Sequence, residues 1–380
     1  MVTVRIYARM EHTVQHMTPD LLTLWRAGVD AVRGDVAVAR ALTDAPIAAP
    51  DCSIAVGKAA VAMARHACEM WPDCPALIVT KYAHADGAPL RARVIEAAHP
   101  VPDAASLAAG AAMRDAVLAL GPDAHLLMLV SGGASALCEV LPDGMTLDAL
   151  QAQTQARLAS GATNAELNAH RRSLSLIKGG KLLASFPGAR VTTLALSDVE
   201  GDALDVIGSG IGAAPPDALF EFDARIIASN AIARNAVRAA STVPIIANDE
   251  TLYDDVMTLA PRIAQTLRDG PSGLYIYGGE PVVHLPQTPG RGGRNMALAL
   301  ALAREVAGTP GIQILVAGTD GTDGPTDAAG ALIDGSTWDD TGADALARAD
   351  AYPWLEARNA LIKTVPTGTN VMDLLIAHKS

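Results

Sequence analysis

The sequence contains few aromatic residues, few cysteines and no long uninterrupted apolar segment. Aromatic residues account for 3% of the chain although half of its residues are hydrophobic, so we expect a core built mainly from Ala, Val, Leu and Ile. The four cysteines show no CxxC spacing, which is typical of a reduced, cytoplasmic protein with buried thiols. Because no apolar run is long enough to cross a bilayer, we expect no association with a membrane.

The chain also lacks an excess of positive charge, since its formal net charge is −12. An acidic balance of this size argues against binding of nucleic acid through its phosphates. Small molecules are therefore the expected partners, and a homodimer is also considered. The length of 380 residues is sufficient for two domains of ordinary size.

Short apolar runs alternate with helical segments along the chain, which is typical of an α/β fold. Strands are predicted at 53–56, 77–80, 126–130, 191–196, 225–228, 245–246, 274–277 and 312–316. Helices are predicted at 21–42, from 60 to about 70, at 231–240 and from 296 onward. The segment 269–273 contains proline and glycine, which predicts a hinge or a domain boundary.

An acidic loop at 317–330, AGTDGTDGPTDAAG, follows the last of these predicted strands. It carries Asp320, Asp323 and Asp327 at short intervals, and ligands of open α/β sheets bind where strands end in this way. An ordinary polar turn is the alternative, although such a turn needs one Asp-Gly pair rather than three spaced acids. We expect the acids to act through their charge, so that removing Asp320 or Asp323 leaves the core intact.

Two other loops after predicted strands are suited to binding an anion. Gly57 and Lys58 follow the strand at 53–56 and precede a helix, whose first N–H groups and added lysine charge would face the ligand. The loop at 131–135, SGGAS, consists of small residues whose backbone amides can close around a phosphate or a carboxylate. The alternatives are a solvated lysine and a common glycine-rich turn.

Basic side chains occur in two further places. Arg291 and Arg294 are flanked by glycines before the helix near 296, an arrangement suited to bidentate recognition of phosphate or carboxylate. A flexible basic loop is the alternative. Arg171 and Arg172 are expected on a solvated helix face, as is usual for such charges.

The chemistry of these loops converges on phosphoryl transfer. Lys58, the loop at 131–135 and the two arginines supply cations and amide donors for phosphate. Asp198, Asp320 and Asp323 supply hard oxygen ligands for Mg²⁺, or a base for a hydroxyl group. Since phosphoryl transfer depends mostly on positioning and charge neutralisation, the residues alone indicate a kinase of a small hydroxylated substrate.

One segment superficially fits the dinucleotide-binding fingerprint, GSGIGA at 208–213. Pro215 and Pro216 follow at once, so a helix cannot begin where the pyrophosphate would need one. We therefore do not predict a nicotinamide site.

The chain resembles the type II glycerate kinases, whose C-terminal part is known as the MOFRL domain. The resemblance covers nearly the whole chain in the same order and rests on VGKAAVAMA at 56–64, HPVPD at 99–103, SGGASAL at 131–137, SLSLIKGGKL at 173–182, SDVEGD at 197–202, GGE at 278–280, GRGGRN at 290–295, AGTDGTDGPTDAAGA at 317–331 and PTGTNVMD at 366–373. It implies phosphorylation of D-glycerate with ATP and Mg²⁺, in most bacterial members at the 2-hydroxyl. It also implies a larger Rossmann-like, doubly wound domain and a smaller α/β domain, with the active site in the cleft between them.

The resemblance also guides the assignment of domains and site residues. We predict a Rossmann-like domain at 18–240 and a MOFRL-type domain at 241–380. Catalytic roles are assigned to Lys58, Arg294, Asp198 and Asp320, with Asp198 and Asp320 as the metal ligands. Binding of substrate or phosphate is assigned to Ser131, Gly132, Gly133, Ser135, Glu280, Arg291, Asp323 and Asn295.

Two departures from the family pattern bear on the substrate. The segment after Asp202 is shorter than usual, which can reshape one wall of the cleft, and Ser173 stands where the family commonly has histidine. The alternatives are a kinase of another small sugar acid, a hydroxypyruvate reductase dependent on NAD(P)H, and a non-catalytic sugar-acid-binding protein.

Overall fold

Two six-stranded β-sheets organise the protein, as seen in a computed structural model that describes residues 19–159 and 164–380. Residue 18, where the predicted first domain begins, lies outside the described residues. The first sheet draws its strands from the N-terminal part of the chain and the second from the C-terminal part. The predicted two-domain α/β fold is confirmed.

The first sheet is entirely parallel and has the strand order β3-β2-β1-β4-β5-β6. Its strands are Cys52–Val56 (β1), Ala76–Lys81 (β2), Arg93–Ala97 (β3), His125–Val130 (β4), Arg190–Leu196 (β5) and Glu221–Ala228 (β6). This is the order of a doubly wound Rossmann sheet, in which ligands bind where the direction of winding reverses. The reversal lies between β1 and β4, and both strands are completely buried.

The second sheet is mostly antiparallel and has the strand order β11-β10-β9-β12-β8-β7. Its strands are Ile245–Glu250 (β7), Gly273–Gly279 (β8), Ile312–Gly318 (β9), Ala328–Asp334 (β10), Leu361–Lys363 (β11) and Asp373–Lys379 (β12). Only β7 and β8 pair in parallel. The C-terminal strand β12 lies in the middle of the sheet, between β8 and β9.

Helices cover both sheets. They are Leu21–Ala31 (α1), Gly34–Asp44 (α2), Ala60–Met70 (α3), Ala104–Leu118 (α4), Ala134–Leu137 (α5), Leu147–Ala159 (α6), Asn164–Leu174 (α7), Asn230–Ala240 (α8), Val256–Asp269 (α9), Arg294–Glu305 (α10), Gly342–Ala347 (α11) and Ala351–Glu356 (α12). The Ala- and Leu-rich helix α10 is buried from 295 to 303 and packs on β9 and β10 in the core of the second domain. None of the helices in the described ranges is long and apolar enough to cross a membrane.

The predicted single helix at 21–42 is wrong, because the chain turns between α1 and α2. The carbonyl of Val32 accepts a hydrogen bond from Thr369 Oγ1 at 2.6 Å, and Gly34 N donates to Gly368 O at 2.9 Å. A C-terminal segment thus takes up the backbone groups that a continuous helix would need. A side chain at Gly34 would also collide with Met63, since an added Cβ would lie 2.8 Å from it.

The helices that precede and follow the strands of the first sheet also pack on the second sheet. Helix α1 packs against α8 and against β12 of the second sheet, and α8 packs on β7 and β8. The segment 269–273, predicted as a hinge or a domain boundary, does not separate the two sheets, because it is the turn between α9 and β8 and both β7 and β8 belong to the second sheet. We retain the boundary between 240 and 241 as a proposal, because the strands of the first sheet end at 228 and those of the second begin at 245.

Candidate active site

A cavity of about 220 Å³ lies between the two domains, at the point where the first sheet reverses its winding. The loops after β1, β4 and β5 contribute Lys58, Gly133 and Asp198 from the first domain. The second domain contributes Glu280 and Arg294. The cavity therefore has the position that the fold class predicts for a ligand.

Glycines let the loops after β1 and β4 approach each other closely. Gly57 has φ +126°, and a Cβ there would lie 2.4 Å from the carbonyl oxygen of Ser131. Lys58 N donates to Gly132 O at 2.9 Å, and Ala59 N donates to Ser131 Oγ at 3.1 Å. These bonds fix the start of the lysine side chain relative to the neighbouring loop.

The second sheet brings its own loops to the cavity through Asp373, the first residue of β12. Asp373 pairs with Gly279 at the end of β8 and with Gly318 at the end of β9. Glu280 and Asp320 follow these two strand ends and are therefore brought to the same edge of the sheet. Sequence patterns could not reveal this, since β12 lies more than 50 residues beyond β9.

Lys58 and Asp320 form an ion pair that joins the two domains. The distance from Lys58 Nζ to Asp320 Oδ2 is 2.7 Å, and the side chains are only 18% and 13% exposed. Thr322 donates to the other oxygen of Asp320 through its backbone N and its hydroxyl, at 2.9 and 3.1 Å. Burial disfavours both charges, but the attraction between Lys58 and Asp320 outweighs this effect. The pKa of Lys58 is therefore raised, and that of Asp320 is lowered to about 2.

Asp198 lies on the cavity wall and has no ion-pair partner in contact within the described chain. Asn370 Nδ2 donates to its Oδ2 at 3.0 Å. Burial and the nearby Glu280 raise its pKa to about 6, while Lys58 and Arg294 act in the opposite direction. Gly132 is needed beside it, because an added Cβ would lie 1.8 Å from its Oδ2.

Arg294 begins α10 and is held by two acids of the second domain. Its Nε donates to Asp373 Oδ2 at 2.6 Å, and its Nη1 donates to Glu280 Oε1. Burial alone would lower the pKa of Arg294, but Asp373 and Glu280 raise it above its ordinary value. The guanidinium is thus positively charged and fixed in direction, with one side on the cavity.

The structure places the predicted site residues in three groups. Those that line the cavity are Lys58, Gly133, Ser135, Asp198, Glu280 and Arg294, and Asp320 lies directly behind Lys58. Ser131 and Gly132 shape the loop instead, since the buried Ser131 hydroxyl accepts from Ala59 N and Gly132 adjoins Asp198. Asp323, Asn295 and Arg291 lie away from the cavity lining.

Asp323 forms a buried cap at the start of helix α10, whose second residue is Asn295. Asp323 accepts hydrogen bonds from Asn295 N at 3.1 Å and Met296 N at 2.8 Å, and it is only 3% exposed. The expectation that Asp323 is free of packing is therefore wrong. Because its carboxylate already occupies the helix N-terminus, the structure provides no open phosphate site there.

Arg291 lies on the surface of the second domain. Its guanidinium stacks on the ring of Tyr352 at 3.7 Å and pairs with Asp327 at 3.4 Å, and its side chain is 52% exposed. Asp327, the third acid of the acidic loop, is therefore also bound outside the cavity. The two glycine-flanked arginines, which look alike in the sequence, have different surroundings.

Three polar or charged side chains of the cavity lining were missed by the sequence analysis as site candidates: His99, Arg171 and Asn370. Arg171 was expected on a solvated face, and the HPVPD and PTGTN segments were recognised only as motifs. Burial and the neighbouring cations lower the pKa of His99 to about 3, so its imidazole is neutral at physiological pH. A positive prediction would have required knowledge of how these distant segments fold together.

Comparison with known proteins agrees with the fold and covers both domains. Residues 20–243 match the family model described as a domain of unknown function, DUF4147, and residues 273–373 match the MOFRL family. The chain is 36% identical to a D-glycerate 2-kinase from Thermotoga maritima, over 85% of this chain and 89% of that protein. It is 38% identical to a protein of Agrobacterium vitis named "Putative hydroxypyruvate reductase", over 84% of this chain and 97% of that protein.

A solved structure shows the same architecture. The crystal structure of glycerate kinase from Thermotoga maritima superposes with a TM-score of 0.81 at 32% identity, covering 95% of this chain and 98% of that one. The superposition thus extends over nearly the whole of both chains. The chain therefore belongs to the type II glycerate kinase family.

Proposed function

We propose that the protein is a D-glycerate 2-kinase, which transfers the terminal phosphoryl group of ATP to the 2-hydroxyl of D-glycerate. The observation that carries this proposal is the interdomain cavity, where Lys58 and Arg294 face the acid Asp198. Phosphoryl transfer needs fixed positive charge for the phosphate oxygens and an acceptor for the hydroxyl proton. The family membership supports the same reaction.

Lys58 and Arg294 are proposed to neutralise charge on the phosphoryl group during its transfer. Each is anchored by acids, Lys58 by Asp320 and Arg294 by Glu280 and Asp373, so neither has to reorganise when the charge develops. Asp320 is ionised at neutral pH because its pKa is about 2. Its contribution is therefore to hold the lysine in place and to keep it charged.

Asp198 is proposed to receive the proton of the substrate hydroxyl or to bind Mg²⁺. A carboxyl with a pKa of about 6 is ionised at neutral pH and still basic enough to accept a proton. The described residues contain no cluster of three or more His, Cys, Asp or Glu side chains suited to a metal. That fits Mg²⁺, which is usually held by one or two carboxylates together with substrate phosphates. Mg²⁺ bound with ATP would add positive charge at the phosphates.

Of the two predicted metal ligands, Asp198 has the more suitable surroundings. Both oxygens of Asp320 are already engaged, one by Lys58 and the other by Thr322. The side-chain donor to Asp198 among the described residues is the neutral amide of Asn370. We therefore place the metal ligand at Asp198 and the anchoring role at Asp320.

Reduction of hydroxypyruvate is the competing function, and one relative carries that name. In a sheet with this strand order, a dinucleotide would place its pyrophosphate at the turn after β1, which calls for the spacing GxGxxG. The turn here reads GKAAVA, and its lysine is paired with Asp320. The surroundings of this turn therefore suit the phosphate of a nucleotide that takes part in phosphoryl transfer better than they suit a nicotinamide cofactor.

One pair of assays separates these functions. Consumption of ATP with D-glycerate and Mg²⁺ is compared with oxidation of NADH or NADPH with hydroxypyruvate, using the same preparation. We expect D-glycerate to stimulate ATP consumption and hydroxypyruvate to leave the nicotinamide absorbance unchanged. Oxidation of NADH without ATP turnover would overturn the proposal, and a panel of sugar acids tests whether another acid is preferred.

Two further predictions concern the state of the protein in the cell. A cytoplasmic location follows from the cysteine usage of the sequence, and a homodimer remains a prediction without a structural test. Fractionation of cells and analytical ultracentrifugation of the purified protein would check these predictions.

A further inference from the structure

The cations that line the cavity differ in how their charge is compensated. Lys58 is paired with Asp320, and Arg294 is paired with Glu280 and Asp373. The third cation, Arg171, makes no ion pair within 4.0 Å among the side chains that the structure describes. A cavity wall with one uncompensated positive charge is suited to an anionic group of the ligand.

Arg171 is held in position by a neutral group. It lies in the last turn of α7, lines the cavity, and donates from Nη2 to the carbonyl oxygen of Pro100 at 3.2 Å. The neighbouring His99 also lines the cavity and lies against Gly133, which borders the side chain of Lys58. Arg171 is thus fixed on the first-domain side of the cavity, with most of its N–H groups unused by described residues.

The surroundings of Arg171 leave its positive charge incompletely balanced. Burial lowers its pKa, and the carboxylate of Glu139 only partly opposes this effect. Glu139 is already bonded to the fully buried Lys178, so its negative charge is shared. His99 is neutral and does not compete with Arg171 for an anion.

We propose that Arg171 binds the carboxylate of the hydroxy-acid substrate and thereby selects acids over neutral polyols. This inference rests on the proposed function, since it assigns the substrate end of the same cavity. A guanidinium presents a planar fork of N–H donors that matches the two oxygens of a carboxylate. Lys58, anchored by Asp320, and Arg294, anchored by Glu280 and Asp373, then remain for the phosphoryl group.

A phosphate of the nucleotide presents similar oxygens, so the test must separate the two sources of anion. Arg171→Met removes the charge and Arg171→Lys keeps it while removing the fork. Arg172→Met is the matched control, because Arg172 is next in the chain, bonds to the carbonyl of Asp205 at 2.9 Å and lies outside the cavity lining. Initial rates are measured with D-glycerate and ATP varied in turn.

Arg171→Met is expected to raise the KM for D-glycerate about 10- to 100-fold, the range for losing a hydrogen bond to a charged group. The KM for ATP should stay within about twofold, Arg171→Lys should lose less than Arg171→Met, and Arg172→Met should behave as the wild type. A rise in the KM for ATP instead would assign Arg171 to the nucleotide and overturn the proposal. Unchanged kinetics in Arg171→Met would overturn it too.

Binding without catalysis tests the proposal independently of the reaction. D-glycerate and glycerol are titrated calorimetrically into the wild type and both Arg171 variants, after thermal unfolding confirms that each is folded. We expect the wild type to bind D-glycerate more tightly than glycerol, and Arg171→Met to lose that preference. If the wild type binds D-glycerate but does not phosphorylate it, the proposed function fails while Arg171 is still tested. Equal preference in the wild type and Arg171→Met, or no binding of D-glycerate to the wild type, contradicts the role of Arg171.

Discussion

Asp320 and Asp323 lie three residues apart in one loop, yet they belong to different parts of the molecule. Asp320 reaches across the interdomain boundary to Lys58 beside the cavity. Asp323 turns inward and caps helix α10 within the second domain. The same residue type in the same Thr-Asp-Gly context therefore serves the site in one case and the fold in the other.

The difference between the two acids is also visible in their protonation. Burial raises the pKa of both, but Lys58 outweighs it at Asp320 and lowers that pKa to about 2. At Asp323 the amide hydrogen bonds of α10 do not outweigh burial, and the pKa is raised to about 7. What decides the outcome is the partner: a full positive charge stabilises a buried carboxylate more than backbone donors do.

Removal of the cation that pairs with Asp320 should have the largest effect on activity. Lys58→Met is expected to lower kcat by about 10²-fold or more, the scale of removing one donor that stabilises the transition state. Lys181→Met is the control, because the described partners of Lys181 Nζ are the backbone carbonyls of Arg172 and Ser175 and because Lys181 lies outside the cavity lining. Near-normal turnover by a folded Lys58→Met would show that neither Lys58 nor its partner Asp320 is needed for catalysis.

Substitution of the capping acid should affect stability and spare the chemistry. In Asp323→Asn the amide keeps one acceptor oxygen but turns an NH₂ group toward the N–H groups of α10, which we expect to cost about 1–3 kcal/mol of unfolding free energy. The kcat of the folded fraction should change by less than about threefold. Urea unfolding measured beside kcat tests this, and a strong loss of kcat at unchanged stability would make Asp323 a site residue after all.

The smallest expected effect is a difference in how the two acids respond to pH. Asp323 has a raised pKa, so its native state binds the proton more tightly, and its stabilising contribution declines as pH rises from about 4 through 7. Asp320 has a lowered pKa, so its contribution persists above about pH 4 and is lost on further acidification.

Unfolding free energies of the wild type and the two Asn variants between pH 4 and 8 would detect this difference. The gap between the wild type and Asp323→Asn should shrink with rising pH, by no more than about 1.4 kcal/mol per pH unit. The gap between the wild type and Asp320→Asn should stay constant over the same range. Parallel curves for both variants would show that the two carboxyl groups titrate alike.

Local patterns in the sequence were sufficient to predict the parallel sheet and the loops that follow its strands. The strands at 53–56 and 126–130 are buried throughout and, apart from Ser53, apolar, because both faces of the sheet are covered. Small residues then mark the loops after them, and Lys58 and Asp198 were found because they follow strand ends directly. The site residues that belong to such strand-end loops were the predictable ones.

Contacts between distant segments could not be predicted from local patterns. The turn between α1 and α2 depends on Gly368 and Thr369, more than 300 residues away. Asp323 was expected to be free because its partner α10 precedes it by nearly 30 residues. Arg171 looked like one of two equivalent surface arginines, and only the folding of the first domain distinguishes it from Arg172.

The Lys58–Asp320 pair is proposed to serve catalysis rather than the assembly of the two domains. A double-mutant cycle of Lys58→Met, Asp320→Asn and their combination tests it, with unfolding free energy and kcat measured for all four proteins. Each single change leaves a largely buried charge without its partner, and the shift in the pKa of Asp320 corresponds to about 2 kcal/mol.

We predict that the double variant loses less stability than the sum of the single variants, because neither charge is left unpaired. Its kcat should nevertheless stay at least about 10²-fold below that of the wild type, as in Lys58→Met. Recovery of kcat together with stability in the double variant would contradict the account, since the pair would then only hold the domains together.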